Sequence, residues 1–142
     1  MPSTPRNPDY DTTVKDSFAR QAMMATAGAS LAEVSAGQCI ICAPIRASMT
    51  QQHGFGHAAL TFALGDSAAG YAALTLMEKG QEVLTSEMKI NLLAPAKGDH
   101  LRAAGRVLKA GRRLVVVQSN VYAIDGEVET HIAALQGTMV PV

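Results

Sequence analysis

Apolar residues recur at two spacings along the chain, one typical of helices and one of strands. In residues 12–27 they recur at helical spacing as far as Gly28, which predicts an N-terminal helix that stops at this glycine. Residues 31–45 alternate loosely and include β-branched side chains, which predicts one strand with an interruption at Gly37. Residues 46–56 are polar and contain glycine, so they are predicted to form a loop.

The longest helical pattern covers residues 57–77, HAALTFALGDSAAGYAALTLM. Apolar residues lie almost all round this predicted helix, which is the pattern of a buried helix. Four predicted strands follow, over residues 82–93, 99–109, 112–123 and 127–141. Short turns join antiparallel neighbours, so we expect a four-stranded meander whose apolar face is covered by the long helix. The chain is therefore predicted to be α+β.

Composition narrows the range of partners. The chain has 142 residues with 12 Lys and Arg against 12 Asp and Glu, so its formal net charge is zero, whereas a nucleic-acid binder normally shows a basic excess. No apolar run is long enough to span a bilayer, and the proline-bearing start has no apolar core typical of a signal peptide. We expect a flexible N-terminal arm over residues 1–10, a single domain over residues 11–142, no nucleic-acid or membrane partner, and a cytoplasmic location.

The two cysteines and four histidines do not form a recognisable metal or redox motif. Cys39 and Cys42 lie in the apolar stretch CIICAPI, which is typical of a strand, and positions three apart in a strand face opposite sides. We interpret them as two packed thiols. His53 and His57 are four apart, but glycines separate them and no further ligand lies close by. No metal site is expected.

Two motifs carry a resemblance to a known family. The segment QQHGFGHAALTFALGDSAAGYAALTLM contains His57-Ala58-Ala59 and then the run LGDSAAG over residues 64–70. A later stretch has a strand ending in Pro-Ala, then Gly-Arg-Val, then Gly-Arg before the next strand. In order and spacing, residues 45–142 resemble the PaaI-like branch of hotdog-fold acyl-CoA thioesterases. The chain departs from that pattern where Ala58 and Ala59 replace the usual two glycines.

The resemblance implies a fold, an activity and a mode of assembly. The fold is an antiparallel sheet wrapped around a long central helix. The activity is hydrolysis of an acyl-CoA thioester to a free acid and CoA, with no cofactor apart from the coenzyme A that belongs to the substrate. Active sites of the family lie at a dimer interface, so a homodimer is expected, and homotetramers are common in the family.

Asp66 is the first candidate for catalysis. It lies among Ala, Gly and Leu, with no Lys or Arg between His57 and Met77. A buried carboxylate is unfavourable unless it is hydrogen-bonded, and burial raises its pKa, which makes it a better general base near neutral pH. The alternative is a solvent-facing aspartate at a helix bend.

The start of the same helix supplies the second candidate. The first N–H groups of a helix have no intrahelical acceptor and carry the positive end of its dipole. The N–H of Ala58, together with that of Ala59, is therefore predicted to hold the thioester oxygen, with His57 orienting this turn. Nine residues of helix rise about 13–14 Å and turn about 900°, so residues 57 and 66 face opposite sides. We expect Ala58 of one chain to meet Asp66 of another.

Three further polar residues are candidates by position. The resemblance implies that Thr85 positions the attacking water and that Gln51 lies near the water or the carbonyl. Thr85 alternates with Glu87, Lys89 and Asn91, which predicts that all four lie on one face of a strand. Thr85 would otherwise be an ordinary strand-forming residue. Ser67 is predicted to contact the ligand.

A basic hairpin is a candidate for the phosphates of coenzyme A. Lys109, Arg112 and Arg113 cluster in the turn KAGRR, and arginine forks readily onto phosphate. The alternative is ordinary solvated charge at a turn.

Two other functions compete with thioester hydrolysis. A non-catalytic acyl-CoA-binding hotdog protein is suggested by the two alanines at 58 and 59. A different hotdog enzyme, such as an enoyl-CoA hydratase, is the second alternative. Hydratases of this fold typically pair Asp with His in another motif, which is not found around Asp66.

Overall fold

A computed structural model of the chain describes residues 4–142, which form one antiparallel sheet around a central helix. The helices are α1 (Tyr10–Arg20), α2 (Ala22–Ala27) and α3 (Ala58–Leu74), and the strands are β1 (Ser30–Ser35), β2 (Gln38–Pro44), β3 (Val83–Leu92), β4 (His100–Ala110), β5 (Val115–Asp125) and β6 (Val128–Pro141). A short 3-10 helix covers Ala47–Met49 in the predicted loop. The predicted α+β class is confirmed.

Helix α3 lies at the centre of the molecule and is buried along most of its length, as its all-round apolar pattern predicts. It packs on β2, β4, β5, β3 and β6. Small residues allow this close approach: a Cβ on Gly105 of β4 would overlap the backbone of Ala68 and Ala69. The sheet thus wraps around α3 and fixes which of its side chains reach solvent.

The N-terminal segment differs from the prediction in one respect. The helix expected over residues 12–27 is two helices, which meet at Gln21, where the backbone is extended with φ −82° and ψ 95°. The predicted stop at Gly28 is confirmed, since the backbone of this residue adopts the left-handed helical conformation, with φ 69°. Within the arm predicted over residues 1–10, residues 1–3 lie outside the described residues, and Asn7 is buried with its side chain donating to Thr13.

The strand predicted over residues 31–45 is a hairpin. Strands β1 and β2 pair antiparallel across a turn in which Gly37 has φ 77°. The turn is tied to the end of α3, because the Gly37 N–H donates to Thr75 Oγ1 at 2.7 Å and the Thr75 hydroxyl donates to the Ala72 carbonyl at 2.7 Å. The interruption expected at Gly37 is therefore the turn itself.

The predicted meander is correct for three of its four strands. The sheet order is β1-β2-β4-β5-β6-β3, so β4, β5 and β6 follow one another, whereas β3 pairs with β6 and β4 pairs with β2. The prediction was wrong for β3 because residues 93–99 do not form a tight turn. They pass beside the start of α3, where the Gly56 N–H donates to the Ala96 carbonyl at 2.8 Å.

The cysteines lie on opposite faces of β2, with Cys39 buried and Cys42 partly buried, and both are free. Burial raises the pKa of Cys39 to about 12, so this thiol is a poor nucleophile near neutral pH. Within residues 4–142, no group of three or more His, Cys, Asp or Glu side chains is arranged to hold a metal ion. In the same part of the chain, no helix combines the length and apolarity needed to cross a membrane.

Candidate active site

Asp66 lies half-buried in the middle of α3 and faces a cavity of about 240 Å³. The cavity has polar walls, contributed by α3, by α1 with the residue that follows it, and by the start of β3. Its lining includes Ser17, Gln21, Asp66, Ser67, Tyr71, Glu82, Thr85 and Met139. The acid that stands alone in an apolar helix sequence is thus placed beside other hydrogen-bonding groups.

Thr85 is the direct partner of Asp66. Its hydroxyl donates to Asp66 Oδ1 at 2.7 Å, and its oxygen also lies 3.3 Å from the sulfur of Met139. Burial raises the pKa of Asp66 above its ordinary value of 3.8, and the hydrogen bond from Thr85 lowers it in part. Asp66 is therefore a carboxylate that binds a proton more readily than a solvated one, as a general base requires.

A β-bulge directs Thr85 toward the helix. Thr85 pairs with Met139 of β6, which belongs to the core, and the register then shifts so that Glu87 pairs with Thr138. The expected alternation is wrong here, because the bulge inserts a residue and places Thr85 and Glu87 on opposite faces. Glu87, with Lys89, lines a separate groove on the outer face of the sheet.

The start of α3 is capped by a side chain. His57 is the N-cap residue, with φ −63° and ψ 141°, and its Nδ1 accepts the N–H of Ala59 at 2.9 Å. Its own N–H donates to the Met49 carbonyl at 2.9 Å, which fixes the entry to the helix. The Ala59 N–H, which is also predicted to bind the thioester oxygen, is thus hydrogen-bonded to His57 in this structure. Among residues 4–142, the Ala58 N–H donates to no acceptor.

Ala58 borders a second cavity, of about 390 Å³. Gln51 and the buried Thr61 also line it, together with apolar residues of the 92–96 segment. The Gln51 side-chain oxygen accepts the N–H groups of His53 at 2.6 Å and Phe55 at 3.3 Å, so it shapes this loop. Its amide nitrogen donates to no residue within the described chain and remains a candidate donor to a ligand.

One chain keeps the two halves of the predicted site apart. Ala58 lines one cavity, Asp66 lines the other, and the two cavities have no lining residue in common. Ala58 and Asp66 are eight positions apart in α3, so they are separated by a rise of about 12 Å and a net rotation of about 80°.

A polar network beside Asp66 was not predicted. The Gln21 side-chain amide donates to the Tyr71 hydroxyl at 2.9 Å, and its oxygen lies 3.3 Å from the hydroxyl of Ser67, which donates to it. Ser17 lies 3.2 Å from the same tyrosine oxygen. Little in the sequence indicated this network, since Gln21 lies inside the helix predicted over residues 12–27 and Tyr71 lies in the apolar pattern of residues 57–77.

The predicted basic cluster is only partly assembled. Arg112 and Arg113 line a cavity of about 550 Å³ together with Arg6, which was not predicted, and with Glu78 and Gln81. Lys109 is not among the residues that line this cavity. The register shift between Val107 and Lys109 alters the strand just before the hairpin turn.

Comparison with known proteins places this arrangement in a family. The protein-family model that describes the thioesterase superfamily matches residues 53–130 of this chain. A solved structure of a thioesterase family protein from Silicibacter pomeroyi is 42% identical, with a TM-score of 0.92 over 94% of this chain and 98% of that one. The E. coli PaaI protein from the phenylacetic acid degradation operon has a TM-score of 0.84 over 96% of each chain at 20% identity, which shows the fold alone.

Two curated relatives come from Saccharolobus solfataricus. The protein named "Putative esterase SSO1253" is 38% identical over 74 residues, which are 52% of this chain and 49% of that protein. The protein named "Putative esterase SSO2140" is 30% identical over 91 residues, 64% of each chain. The chain thus spans between about half and two thirds of the length of these relatives.

The superfamily match covers more than half of the chain, from the loop before α3 to the start of β6. It includes Asp66, Ala58 and Thr85, the residues around which the two cavities are built. The fold likeness confirms the hotdog architecture, and the superfamily match confirms the resemblance to thioesterases predicted from the two motifs. The chain belongs to the thioesterase superfamily.

Proposed function

We propose that this protein hydrolyses acyl-CoA thioesters to a free acid and CoA, at sites formed between two copies of the chain. The observation that carries the proposal is Asp66, held by Thr85 in a polar cavity and with a raised pKa, in a chain of the thioesterase superfamily. Such a carboxylate can take a proton from water when the water attacks a carbonyl carbon.

In the proposed reaction, Asp66 removes a proton from a water molecule while the water oxygen bonds to the thioester carbon. The Thr85 hydroxyl, already hydrogen-bonded to Asp66, helps to orient this water. The carbonyl oxygen gains negative charge and accepts the free N–H of Ala58, which carries the positive end of the α3 dipole. The carbon–sulfur bond then breaks, and the CoA thiolate takes up the proton from Asp66.

The edge strand β3 supports assembly of the two halves from two chains. Among residues 4–142 of one chain, β3 pairs with β6 and no strand pairs with its other edge. Leu84 and Leu92 on this strand are more than half exposed. The start of β3 lines the Asp66 cavity and its end lines the Ala58 cavity. Antiparallel pairing of two β3 strands about a two-fold axis would therefore bring the Asp66 cavity of one chain toward the Ala58 cavity of the other.

We assign the phosphates of coenzyme A to the basic cavity. Arg112, Arg113 and Arg6 line it, and no ion pair to any of the three is found among the described residues. Arginine guanidinium groups bind phosphate oxygens through two parallel hydrogen bonds. Salt should weaken this contact, since the arginines are solvent-accessible.

The test is thiol release from a broad panel of acyl-CoAs by wild type and Asp66→Asn. We expect turnover by wild type and a loss of at least about a hundredfold in the variant, in line with a general base. Asp16→Asn is the matched control, since Asp16 is exposed on α1 and its side chain makes no hydrogen bond within residues 4–142. No turnover of any acyl-CoA, or an unimpaired Asp66→Asn, would reject the proposal.

The same samples separate the alternatives. Tight CoA binding without thiol release would favour a non-catalytic binding protein. Loss of enoyl-CoA absorbance without thiol release would favour a hydratase. If Asp66 attacks the carbonyl directly, the CoA thiolate leaves and a mixed anhydride joins the acyl group to Asp66. Hydrolysis of that anhydride at the Asp66 carbon in ¹⁸O-labelled water, in a single turnover, would leave the label in the Asp66 carboxylate, whereas water activation places it in the acid.

A further inference from the structure

We propose that the junction between α1 and α2 forms one wall of the Asp66 cavity and that Gln21, which fixes this junction, limits the size of the acyl group that is accepted. The inference rests on the proposed thioesterase function, because it assigns this cavity to the acyl group of the substrate. It adds Gln21 as a specificity-determining residue to a site whose proposed reacting groups are Asp66 and Ala58.

The first observation is a helix break without a local cause. The backbone is extended at Gln21, although residues 18–24, FARQAMM, contain neither proline nor glycine and consist mainly of good helix formers. Sharp helix breaks usually occur at proline, at glycine or where a side chain inserts into the hydrogen-bond ladder. The break at Gln21 therefore depends on tertiary contacts.

The second observation is the set of hydrogen bonds that supplies those contacts. The Gln21 amide donates to the Tyr71 oxygen at 2.9 Å, and the hydroxyl of Ser17 is hydrogen-bonded to the same oxygen at 3.2 Å. The hydroxyl of Ser67 donates to the other end of the same amide at 3.3 Å. Both ends of Gln21 are thus bound by α3 residues that follow Asp66 by one and by five positions.

The third observation is where these groups lie. Ser17, Gln21 and Tyr71 all line the Asp66 cavity, so the junction borders the space next to the proposed base. Phe18 packs edge-on against Tyr71, with ring centroids 6.1 Å apart, and holds α1 on the same side of α3. The cavity measures about 240 Å³, which is room for an acyl group but not for the larger pantetheine and nucleotide of coenzyme A.

The chemistry of the wall indicates selection by size. Each end of the Gln21 amide is hydrogen-bonded to a residue of α3, so the side chain is held in place as a fixed part of the cavity wall. Truncating it removes the side chain that joins the junction to α3. Longer or wider acyl groups should then fit, whereas kcat/KM for compact acyl groups should change little.

The test compares kcat/KM for straight-chain acyl-CoAs of increasing length in wild type, Gln21→Ala and Tyr71→Phe. We expect the ratio of long-chain to short-chain kcat/KM to rise by about tenfold or more in Gln21→Ala, since a few methylene contacts in a pocket carry that much discrimination. Tyr71→Phe removes the oxygen that Gln21 binds but keeps the ring on Phe18, so it should move the ratio the same way by less. If Gln21→Ala does not fold, the length profile of Tyr71→Phe tests the role of Gln21.

Gln38→Ala is the control, because Gln38 is exposed at the start of β2, makes no side-chain hydrogen bond within residues 4–142 and lines neither cavity. Hydrogen exchange of residues 10–27 gives a second readout and should quicken in Gln21→Ala but not in Gln38→Ala. An active wild type whose length profile and exchange are unchanged by both site variants overturns the role of Gln21 alone. A wild type without thioesterase activity overturns the proposed function and the specificity role with it.

Discussion

Replacing Thr85 with valine isolates one hydrogen bond of the proposed site. Valine keeps the branched shape of threonine but has no hydroxyl, so the 2.7 Å bond to Asp66 is lost while the packing beside Met139 is kept. That bond favours the ionised carboxylate and opposes the burial that raises the pKa of Asp66. A hydrogen bond to a charged group is worth about 1.5–3 kcal/mol, and the exposure of Thr85 favours the low end, so the proton affinity of Asp66 should rise about tenfold.

The assay is the pH dependence of kcat/KM for thioester hydrolysis. A general base works only when it is ionised, so the rate falls as the pH drops through the pKa of Asp66. In Thr85→Val this fall should begin at a proton concentration about tenfold lower than in wild type, which means at higher pH. Thr85→Ser keeps the hydroxyl and should keep the wild-type profile. An acid limb that stays in place in the valine variant would refute the assignment of Thr85 and Asp66 as a functional pair.

Three other substitutions follow from the same structure. Ala58→Pro removes the proposed oxygen-binding N–H at the first helical position, where proline fits, and His57 already has the extended backbone that a following proline requires. We therefore expect kcat to fall about 10²–10³-fold while circular dichroism stays native. Ala58→Ser keeps the N–H and should remain active. Thr75→Val leaves the buried N–H of Gly37 without an acceptor and should lower the free energy of unfolding in urea by about 1–3 kcal/mol, and no measurable change would contradict that role. The pKa of Asp66 is raised in the fold, so its contribution to stability is greatest at low pH and is lost as the pH rises through that pKa. Asp66→Asn should therefore be at least as stable as wild type at pH 7 and should lose any advantage below pH 3.8. A variant that is less stable than wild type only at pH 7 would contradict this sign.

Patterns local to the sequence predicted most of the fold. The burial of α3 follows from an apolar pattern that runs all round one helix, and Asp66 stands out because it is the one acid inside that pattern. The β5–β6 hairpin follows from the turn Asp125-Gly126, where the glycine has φ 61°. In each case the signal and the structure involve the same short stretch of chain.

Features that depend on distant contacts could not be predicted in this way. The pairing of β3 with β6 depends on the path of residues 93–99 past the start of α3. The bulge after Thr85 changes which face the following residues occupy, and an alternating pattern contains no sign of the inserted residue. The break at Gln21 depends on hydrogen bonds to Ser67 and Tyr71, which lie more than 45 positions along the chain.

The central claim is that Asp66 of one chain acts with Ala58 of another. The direct test is complementation between two inactive variants, Asp66→Asn and Ala58→Pro, purified apart and then mixed under conditions that allow subunits to exchange. Each mixed dimer would contain one site with both native groups and one with neither, so random mixing should restore about a quarter of wild-type activity, from half of the dimers with one of two sites intact. A mixture that exchanges subunits, as shown by mass spectrometry of tagged chains, but regains no activity would contradict a site shared between chains.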